Sequence, residues 1–516
     1  MDKKLVLWQP AIGEWSCLDD QCAHRFAPLS EGRVTPEKCL QCAYHGWEFN
    51  GSGGCSRIPQ AQDEKAHSRV SVKSYPLREE AGMIWIWADP DIPATDDPLP
   101  ISSLMERFHR IGGTARGFMR DLPYGMEYLG ENLADISHLP FSHHSVGSLN
   151  REDGCPVPLE MLTETQRLET AQSYNDNINK LPIFQSSVVD AAQHDPEIVA
   201  AWKSNPRVQA NADPKLASST LAFFDPCHIR YHRNPGQKGS SYEINLYMCP
   251  TTAGKSRVFL FTPFELQLPP VKKEGVDEDD RKKAEDMKGS NTAKKYEPSG
   301  IMKSAAKGLF GFRNKRQHVF PPYIGHMVAH SIFDGDGIFL HKQGDRMHRA
   351  GLSFKDYHTP TSSDIMVNAF RRWLEKAAGA SDERAAKAVL GSSDAYSDQP
   401  QSDLLNRYTT HTIHCKICLD ALKELQEKRS KLSLATTALV GATGASSILA
   451  ALASVLLVAA RLIRAQIKLG MPMFLASALA VVGSFVGAKR AMKEGQRLDK
   501  EIQRFYFEDY VHAEKD

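Results

Sequence analysis

Cys22-Ala-His24, followed after residues 25–41 by Cys42-Ala-Tyr-His45, is the stretch that decides the fold. It offers two thiolates and two imidazoles as two short pairs, with one ligand of each kind in each pair. In a Rieske-type [2Fe–2S] centre one iron takes two cysteines and the other two histidines, and the neutral imidazoles raise the reduction potential above that of an all-cysteine cluster. Two adjacent loops of this composition can clamp one cluster between their tips. Pro28, Gly32, Gly46 and Gly51-Ser-Gly-Gly54 supply the tight turns such loops need. Zinc also suits Cys and His at short spacing. Zinc sites, however, usually pair C-x-x-C with H-x(3–5)-H, and a C-x-H paired with a C-x-x-H is unusual for them. Cys17, Cys39 and Cys55 lie nearby and are expected to be small buried residues, the common state of free cysteine.

A second signal follows in Glu131-Asn-Leu-Ala-Asp135-Ile-Ser-His138-Leu-Pro-Phe-Ser-His143, a D-x-x-H-x(4)-H pattern. Asp135 and His138 are three apart, so on a helix they share a face, and Pro140 is expected to interrupt that helix before His143. Two imidazoles and one carboxylate make the facial triad that binds non-haem Fe(II) and leaves positions open for dioxygen. A lone histidine on an apolar face is usually a core residue, and His144 or His109 could be one. For the carboxylate, His330-Ser-Ile-Phe-Asp334-Gly-Asp336-Gly-Ile-Phe-Leu-His341 offers two candidates; Asp336 is the choice and Asp334 the fallback. Either could instead cap a helix N-terminus, since Asp before an apolar stretch is a common start signal. A calcium loop fits poorly, because the D-x-D-x-D-G pattern with a late Glu is absent.

A chain of 516 residues can bury two or more cores. A formal charge of +1 argues against nucleic acid as a principal partner. Residues 1–100 are short apolar segments broken by turns, ending at Gly82-Met-Ile-Trp-Ile-Trp87, an aromatic and β-branched strand pattern. Tyr242–Met248 and Arg257–Thr262 supply strands for a second domain over 101–375. Residues 271–317 are crowded with Lys, Asp and Glu and are expected to be a disordered insertion. Residues 376–431 are expected to link this domain to the C-terminal part, the polar stretch 379–403 leading to Cys415-Lys-Ile-Cys418. Those two thiols could close a disulfide, with Lys416 and His414 favouring thiolate.

Leu432–Ala460 carries no charge and is long enough for a bilayer, which needs about 20 apolar residues. Gly470–Ala488 is a second such segment, so 432–488 is expected to form a transmembrane hairpin followed by a polar tail, 489–516. Gly441, Gly444, Ala445 and Ser446 in the first span and Ala476, Ala480 and Gly483 in the second suit close helix packing. Lys428, Arg429 and Lys431 before, and Lys489, Arg490 and Lys493 after, outnumber Arg461, Arg464 and Lys468 in the turn, which places both flanks on the cytosol-like side.

Cys-Ala-His-Arg-Phe-Ala-Pro-Leu-Ser-Glu-Gly from Cys22, Gln-Cys-Ala-Tyr-His-Gly-Trp-Glu-Phe from Gln41, Arg57-Ile-Pro-Gln60 and Arg120-Asp-Leu-Pro-Tyr124 resemble the pheophorbide a oxygenase and chlorophyllide a oxygenase group of Rieske non-haem iron oxygenases. The group commonly has Pro where Ala23 stands, and its members begin with a transit peptide and further strands that are not visible before Met1-Asp-Lys-Lys-Leu-Val-Leu-Trp8. The resemblance implies an α+β architecture: an N-terminal all-β Rieske domain, a helix-grip catalytic domain with an antiparallel sheet, and the C-terminal transmembrane helical hairpin. By motif, Cys22, His24, Cys42 and His45 would ligate the [2Fe–2S] cluster. His138, His143 and Asp336 would hold a mononuclear Fe(II). Asp135 would bridge a cluster histidine of a neighbouring subunit to an iron-binding histidine, and Asn132 would sit beside the open iron positions.

The resemblance further implies a homotrimer, electrons from ferredoxin or an NAD(P)H-dependent reductase, O2, and a chlorophyll-derived tetrapyrrole as substrate. It places the chain in a chloroplast membrane, envelope or thylakoid, facing the stroma, with Cys415 and Cys418 as a thioredoxin target. Side-chain oxidation of the chlorophyllide a oxygenase type, and a membrane-bound electron-transfer or redox-sensing role, are the alternatives.

Overall fold

Short apolar runs punctuated by glycine and proline give short strands, and the first of these build a small all-β region. The computed structural model describes residues 4–87, 89, 93–113, 117–146, 151–154, 157–174, 176, 180–188, 218–234, 242–263, 321–380, 399–462 and 470–508. The expected insertion at 271–317 lies outside these, as does most of 379–403. The chain divides into two compact units: Met1–Lys303 with Phe339–Asp398, and Ser304–Ile338 with Gln399–Asp516.

In the first unit, β1 (Leu5–Ala11) and β2 (Glu14–Asp19) form an antiparallel hairpin. Strands β3 (Arg33–Val34), β4 (Leu40–Gln41), β5 (Glu48–Phe49) and β6 (Cys55–Arg57) form a four-stranded antiparallel sheet in chain order. A second hairpin, β7 (Leu77–Glu80) and β8 (Met83–Ile86), turns at Ala81-Gly82 with φ of 51° and 73°, the left-handed pair that suits a two-residue hairpin turn. Val6, Trp8, Leu18, Leu29, Leu40 and Phe49 pack into one core with Cys22 and Cys42. Cys17, Cys39 and Cys55 are buried, as their composition led us to expect.

The rest of the unit is a sheet with helices laid on it. After α1 (Ser103–Arg110) come β9 (Phe118–Leu122), α2 (Met126–Ala134), α3 (Leu139–Ser142), β10 (Leu159–Met161), α4 (Glu164–Ser173), β11 (Phe184–Val188), β12 (Ser218–Phe224), β13 (His228–Asn234), β14 (Tyr242–Pro250) and β15 (Ser256–Phe261). Its seven strands run antiparallel in the order β10-β11-β12-β13-β14-β15-β9, so the early strand β9 closes the far edge. Alternation buries Phe118 and Leu122 of β9 and Val258 and Leu260 of β15.

Two more helices complete the frame: α5 (Tyr323–Ala350) and α6 (Ile365–Ala380). Phe370 and Trp373 of α6 pack edge-on to Phe223 of β12, at 5.4 and 4.6 Å between ring centroids. Gly130 lets α2 lie against Phe370, since a Cβ there would come within 2.0 Å of that ring. Arg371 pairs with Glu131, both buried, and Tyr231 donates to the Leu133 carbonyl, so α2 is tied on two sides. Helix α5 runs unbroken through the division between the units. His341 in its later half is hydrogen-bonded to the Pro123 carbonyl at 2.8 Å.

The second unit holds α7 (Gln401–Leu404), α8 (Arg407–Thr410), α9 (Lys416–Leu462) and α10 (Gly470–Gln503). Its core joins Met327, Cys418, Leu422, Leu425, Leu498 and Phe505. Beyond that base α9 and α10 are an antiparallel pair, tied by Arg429–Asp499 (2.7 Å) and Thr443–Ser484 (2.9 Å). Both are long and apolar enough to cross a membrane, and only 6% of each apolar stretch is buried. The expected packing on Gly441, Gly444 and Gly483 is not what the pair uses. A Cβ at any of the three would meet nothing within 4 Å, whereas Gly487 faces Leu439. The contact face is therefore the one carrying Leu439, Thr443, Ser484 and Gly487.

Candidate metal centres and active site

The two ligand pairs of the first region sit on loops with the same backbone design. In each, the cysteine N–H donates to the carbonyl five residues on: Cys22 to Ala27 and Cys42 to Trp47, both 2.8 Å. The N–H four residues on returns to the cysteine carbonyl, from Phe26 at 2.9 Å and from Gly46 at 3.0 Å. That closure needs a left-handed residue at the fourth position, and Phe26 (φ 60°) and Gly46 (φ 75°) provide it.

The loops bring His24 and His45 together, with ring centroids 4.6 Å apart, and Trp47 stacks on His24 at 4.5 Å and 4°. Gln60 donates to the His45 carbonyl at 2.8 Å. Cys22 and Cys42 are buried, whereas His24 is exposed and His45 half-buried. Burial pushes the Cys22 thiol up to about 11, an effect its contact with Cys42 increases. A thiolate there is therefore costly until a cation accompanies it. The donor set thus has a closed sulfur end inside and an imidazole end at the surface, through which an electron can leave.

The second donor set is built around the end of α2. Asp135 caps that helix in extended conformation (φ −100°, ψ 124°), and His138 opens α3, whose first turn holds Pro140. Asp135 and His138 therefore do not share a helix face, and Pro140 starts a helix instead of ending one. Proline is tolerated in a first turn, where its missing N–H would have no partner anyway. The two side chains still meet, with His138 Nδ1 3.3 Å from Asp135 Oδ2. Ser137 holds the other carboxylate oxygen through its N–H (2.7 Å) and hydroxyl (2.6 Å). Burial alone would raise the Asp135 carboxyl, but the hydrogen bond and charge of His138 and the two bonds from Ser137 win, and its pKa is lowered.

A carboxylate accepting the Nδ1 proton leaves the lone pair on Nε2. Beside that Nε2, at 3.3 Å, lies the Asn132 amide. The His143 ring, fully buried, is 5.4 Å from that of His138. Asp336 lies on α5, well inside the helix and three residues before Phe339, so neither it nor Asp334 is an N-cap. Asp336 is buried and belongs to the second unit, whereas His138 and His143 belong to the first. Asp334 has a different role: its Oδ2 accepts from Arg407 Nε (2.8 Å) and Nη2 (2.6 Å). His109 is exposed, and His144 accepts the Arg151 N–H at 3.1 Å; neither is a core residue.

Residues 1–76 match the Rieske [2Fe-2S] domain family and residues 223–353 the pheophorbide a oxygenase family. Over these two stretches the chain is similar to the pheophorbide a oxygenase-like Rieske non-haem iron oxygenases. Among relatives of this family, "Pheophorbide a oxygenase, chloroplastic" of Oryza sativa subsp. japonica is 26% identical over 445 residues, covering 80% of this chain and 67% of the relative. "Flavonoid 8-hydroxylase 2, chloroplastic" of Ocimum basilicum is 27% identical over 386 residues, 73% of this chain and 60% of the relative. "Chlorophyllide a oxygenase, chloroplastic" of Chlamydomonas reinhardtii is 37% identical over 153 residues, 30% of this chain and 22% of the relative. The chain thus spans at most about two thirds of the length of these relatives.

The similarity implies a [2Fe–2S] cluster and a mononuclear iron, and the donors suit them: buried thiols beside surface imidazoles for the first, the paired imidazoles of His138 and His143 for the second. Sequence reasoning missed Trp47 and Gln60, which touch His24 and His45, and the buried Glu131–Arg371 pair that ties α2. It also missed His326 and His411, which the fold brings to Cys415 and Cys418. The C-x-x-C pair thus meets these two imidazoles, drawn from segments that no local spacing connects to it.

Proposed function

We propose that the chain is a membrane-anchored oxygenase that uses O2 and singly delivered electrons to oxygenate a chlorophyll-derived tetrapyrrole, most like pheophorbide a oxygenase. The observation that carries the reading is the pairing of His138 with His143, ring centroids 5.4 Å apart beside Asp135, in a chain that also presents the Cys22/His24 and Cys42/His45 pairs. A chain serving only as an electron carrier would have no use for the first group.

In this reading Cys22, His24, Cys42 and His45 hold the cluster, and His138, His143 and Asp336 hold the iron. When bound, these groups supply one-electron transfer and dioxygen activation. Asp135, whose Oδ2 lies 3.3 Å from His138 Nδ1, would accept that nitrogen's proton and so favour one tautomer and direction of the ring. Its remaining acceptor capacity suits an imidazole N–H of a neighbouring subunit's cluster loop in a homotrimer. Asn132 offers an amide donor beside His138 Nε2, where a bound oxygen species or substrate oxygen would sit. The exposed edge of His24 is where electrons from ferredoxin, or from an NAD(P)H-dependent reductase, would pass onward.

The membrane location rests on α9 and α10, whose apolar side chains, Leu449, Leu452, Val455, Leu475 and Leu479 among them, face outward. Water would not tolerate two neighbouring helices of this kind. A substrate that partitions into lipid suits such an anchor, and the relatives' names point to a chloroplast membrane, with the basic flanks on the stromal side.

The test is turnover of the full chain in detergent or nanodiscs with reduced ferredoxin, O2 and either pheophorbide a or chlorophyllide a, with products read by mass spectrometry. Macrocycle opening of pheophorbide a is the expected result. Oxidation of a chlorophyllide a side chain would move the chain to the chlorophyllide a oxygenase type. No O2-dependent product from either, with about two irons per chain in place of about three, would overturn the oxygenase reading.

A further inference from the structure

Four donors in the second unit converge on one point that the oxygenase chemistry does not use. His326 comes from the first turn of α5, His411 follows α8, and Cys415 and Cys418 open α9. His326 Nδ1 lies 3.2 Å from His411 Nε2, 3.4 Å from Cys415 Sγ and 3.3 Å from Cys418 Sγ. His411 Nε2 lies 3.3 Å from Cys418 Sγ. All four donor atoms fall within 4.8 Å of one another; His326, His411 and Cys418 are buried and Cys415 is half-buried.

Hydrogen bonds do not account for this packing. A ring nitrogen has one hydrogen or one lone pair, so His326 Nδ1 can satisfy one of its three close neighbours. A central cation satisfies all four donors at once. With Zn–N near 2.05 Å and Zn–S near 2.3 Å, a regular tetrahedron has edges of about 3.3 Å for N···N and about 3.6 Å for N···S. The observed 3.2 Å and 3.3–3.4 Å lie within a few tenths of an ångström of those edges.

We propose that His326 Nδ1, His411 Nε2, Cys415 Sγ and Cys418 Sγ bind one structural zinc ion, distinct from both iron centres. Zn2+ displaces the two thiol protons as it binds, and nothing is oxidised or reduced. Two thiolates then cancel the ion's charge and the imidazoles stay neutral, so the site carries no net charge into the interior. Four protein ligands with no open position mark a structural site and not a catalytic one. The ion would pin the start of α9 to α5 and to the turn after α8, where the Thr412 hydroxyl already donates to the Phe505 carbonyl at 2.9 Å.

The experiment uses the full chain purified in detergent, anaerobically and without chelator, with metals counted by mass spectrometry. About one zinc per chain is expected beside the irons. Cys415→Ser/Cys418→Ser should lose the zinc and keep the irons, and the Rieske absorption spectrum confirms that the variant has folded. Should the variant fail to fold, the wild-type protein gives the answer: both thiols should resist alkylation until a zinc chelator is added, then react at least about tenfold faster. Zinc below about a tenth of an ion per chain at full iron loading, zinc retained by the double variant, a Cys415–Cys418 disulfide in the anaerobic protein, or alkylation indifferent to chelator would each overturn the proposal.

Discussion

Asp334 and Asp336 stand two residues apart on one helix, yet Asp334→Asn and Asp336→Asn should fail in different ways. Asp334 is fully buried and takes two N–H groups of Arg407, a guanidinium that is 1% exposed. Asn at 334 removes the negative charge and leaves that guanidinium with Glu508 at 2.9 Å and the Arg504 carbonyl at 3.0 Å. Breaking a buried ion pair costs about 3–5 kcal/mol. Because the half-exposed Glu508 remains, the low end applies. A loss of about 3 kcal/mol lowers the unfolding midpoint by about 6–12 °C for a unit of this size. Iron content should stay at about three per chain. Asp336→Asn removes the proposed iron ligand instead, so iron should fall to about two per chain with the cluster spectrum unchanged. Calorimetry in detergent and metal analysis on the same preparations read both quantities. If Asp334→Asn lost the third iron while Asp336→Asn kept it, the assignment of the carboxylate ligand would be wrong.

Gly46→Val should cut cluster occupancy, because φ of 75° strains a β-branched residue by about 1–2 kcal/mol and its Cβ would sit 3.2 Å from Pro59; Phe26→Gly, at the matching position, should assemble normally, and cluster absorbance per chain compares them. Asp135→Asn should keep both metals but slow O2-dependent reoxidation of the cluster by about 10–100-fold, the usual cost of losing a histidine's orienting partner, as stopped-flow absorbance would report. Since the folded-state pKa of Asp135 is lowered, its contribution to stability is present above the ordinary carboxyl value and lost only as pH falls through the lowered one, so the wild-type reoxidation profile between pH 5 and 8 should show no titration of this group. Gly130→Ala should destabilise by about 1–3 kcal/mol through overpacking on Phe370, and Phe370→Leu in the same chain should recover part of the midpoint in thermal scans.

What the sequence made legible and what it hid divide along physical lines. Cys22/His24 and Cys42/His45 are pairs within a single loop each, so spacing exposes them. The hairpin of α9 and α10 is a matter of composition over long windows. His138 and His143 were legible from their motif, but the backbone between Asp135 and His138 was not. A period of three suggests one helix face, whereas Asp135 ends one helix and His138 begins another. The preference for Asp336 over Asp334 has a cause visible only in three dimensions, the guanidinium of Arg407 arriving from 73 residues away. His326 and His411 stayed hidden for the same reason. A ligand set drawn from α5, the turn after α8 and the start of α9 leaves no local signature except the C-x-x-C. The glycines were misread as well, because small size in an apolar helix shows that close approach is allowed and not on which side it happens.

Helix α9 starts at Lys416 and continues without a break past Leu432 into its uncharged stretch. At 1.5 Å per residue, the fourteen residues from Cys418 to Leu432 hold that thiol about 21 Å from the edge of the bilayer the stretch would enter. In a bilayer the helix would act as a stilt: a water-soluble reductant, oxidant or metal chaperone would reach the height of the C-x-x-C, whereas peroxidised acyl chains would lie below it.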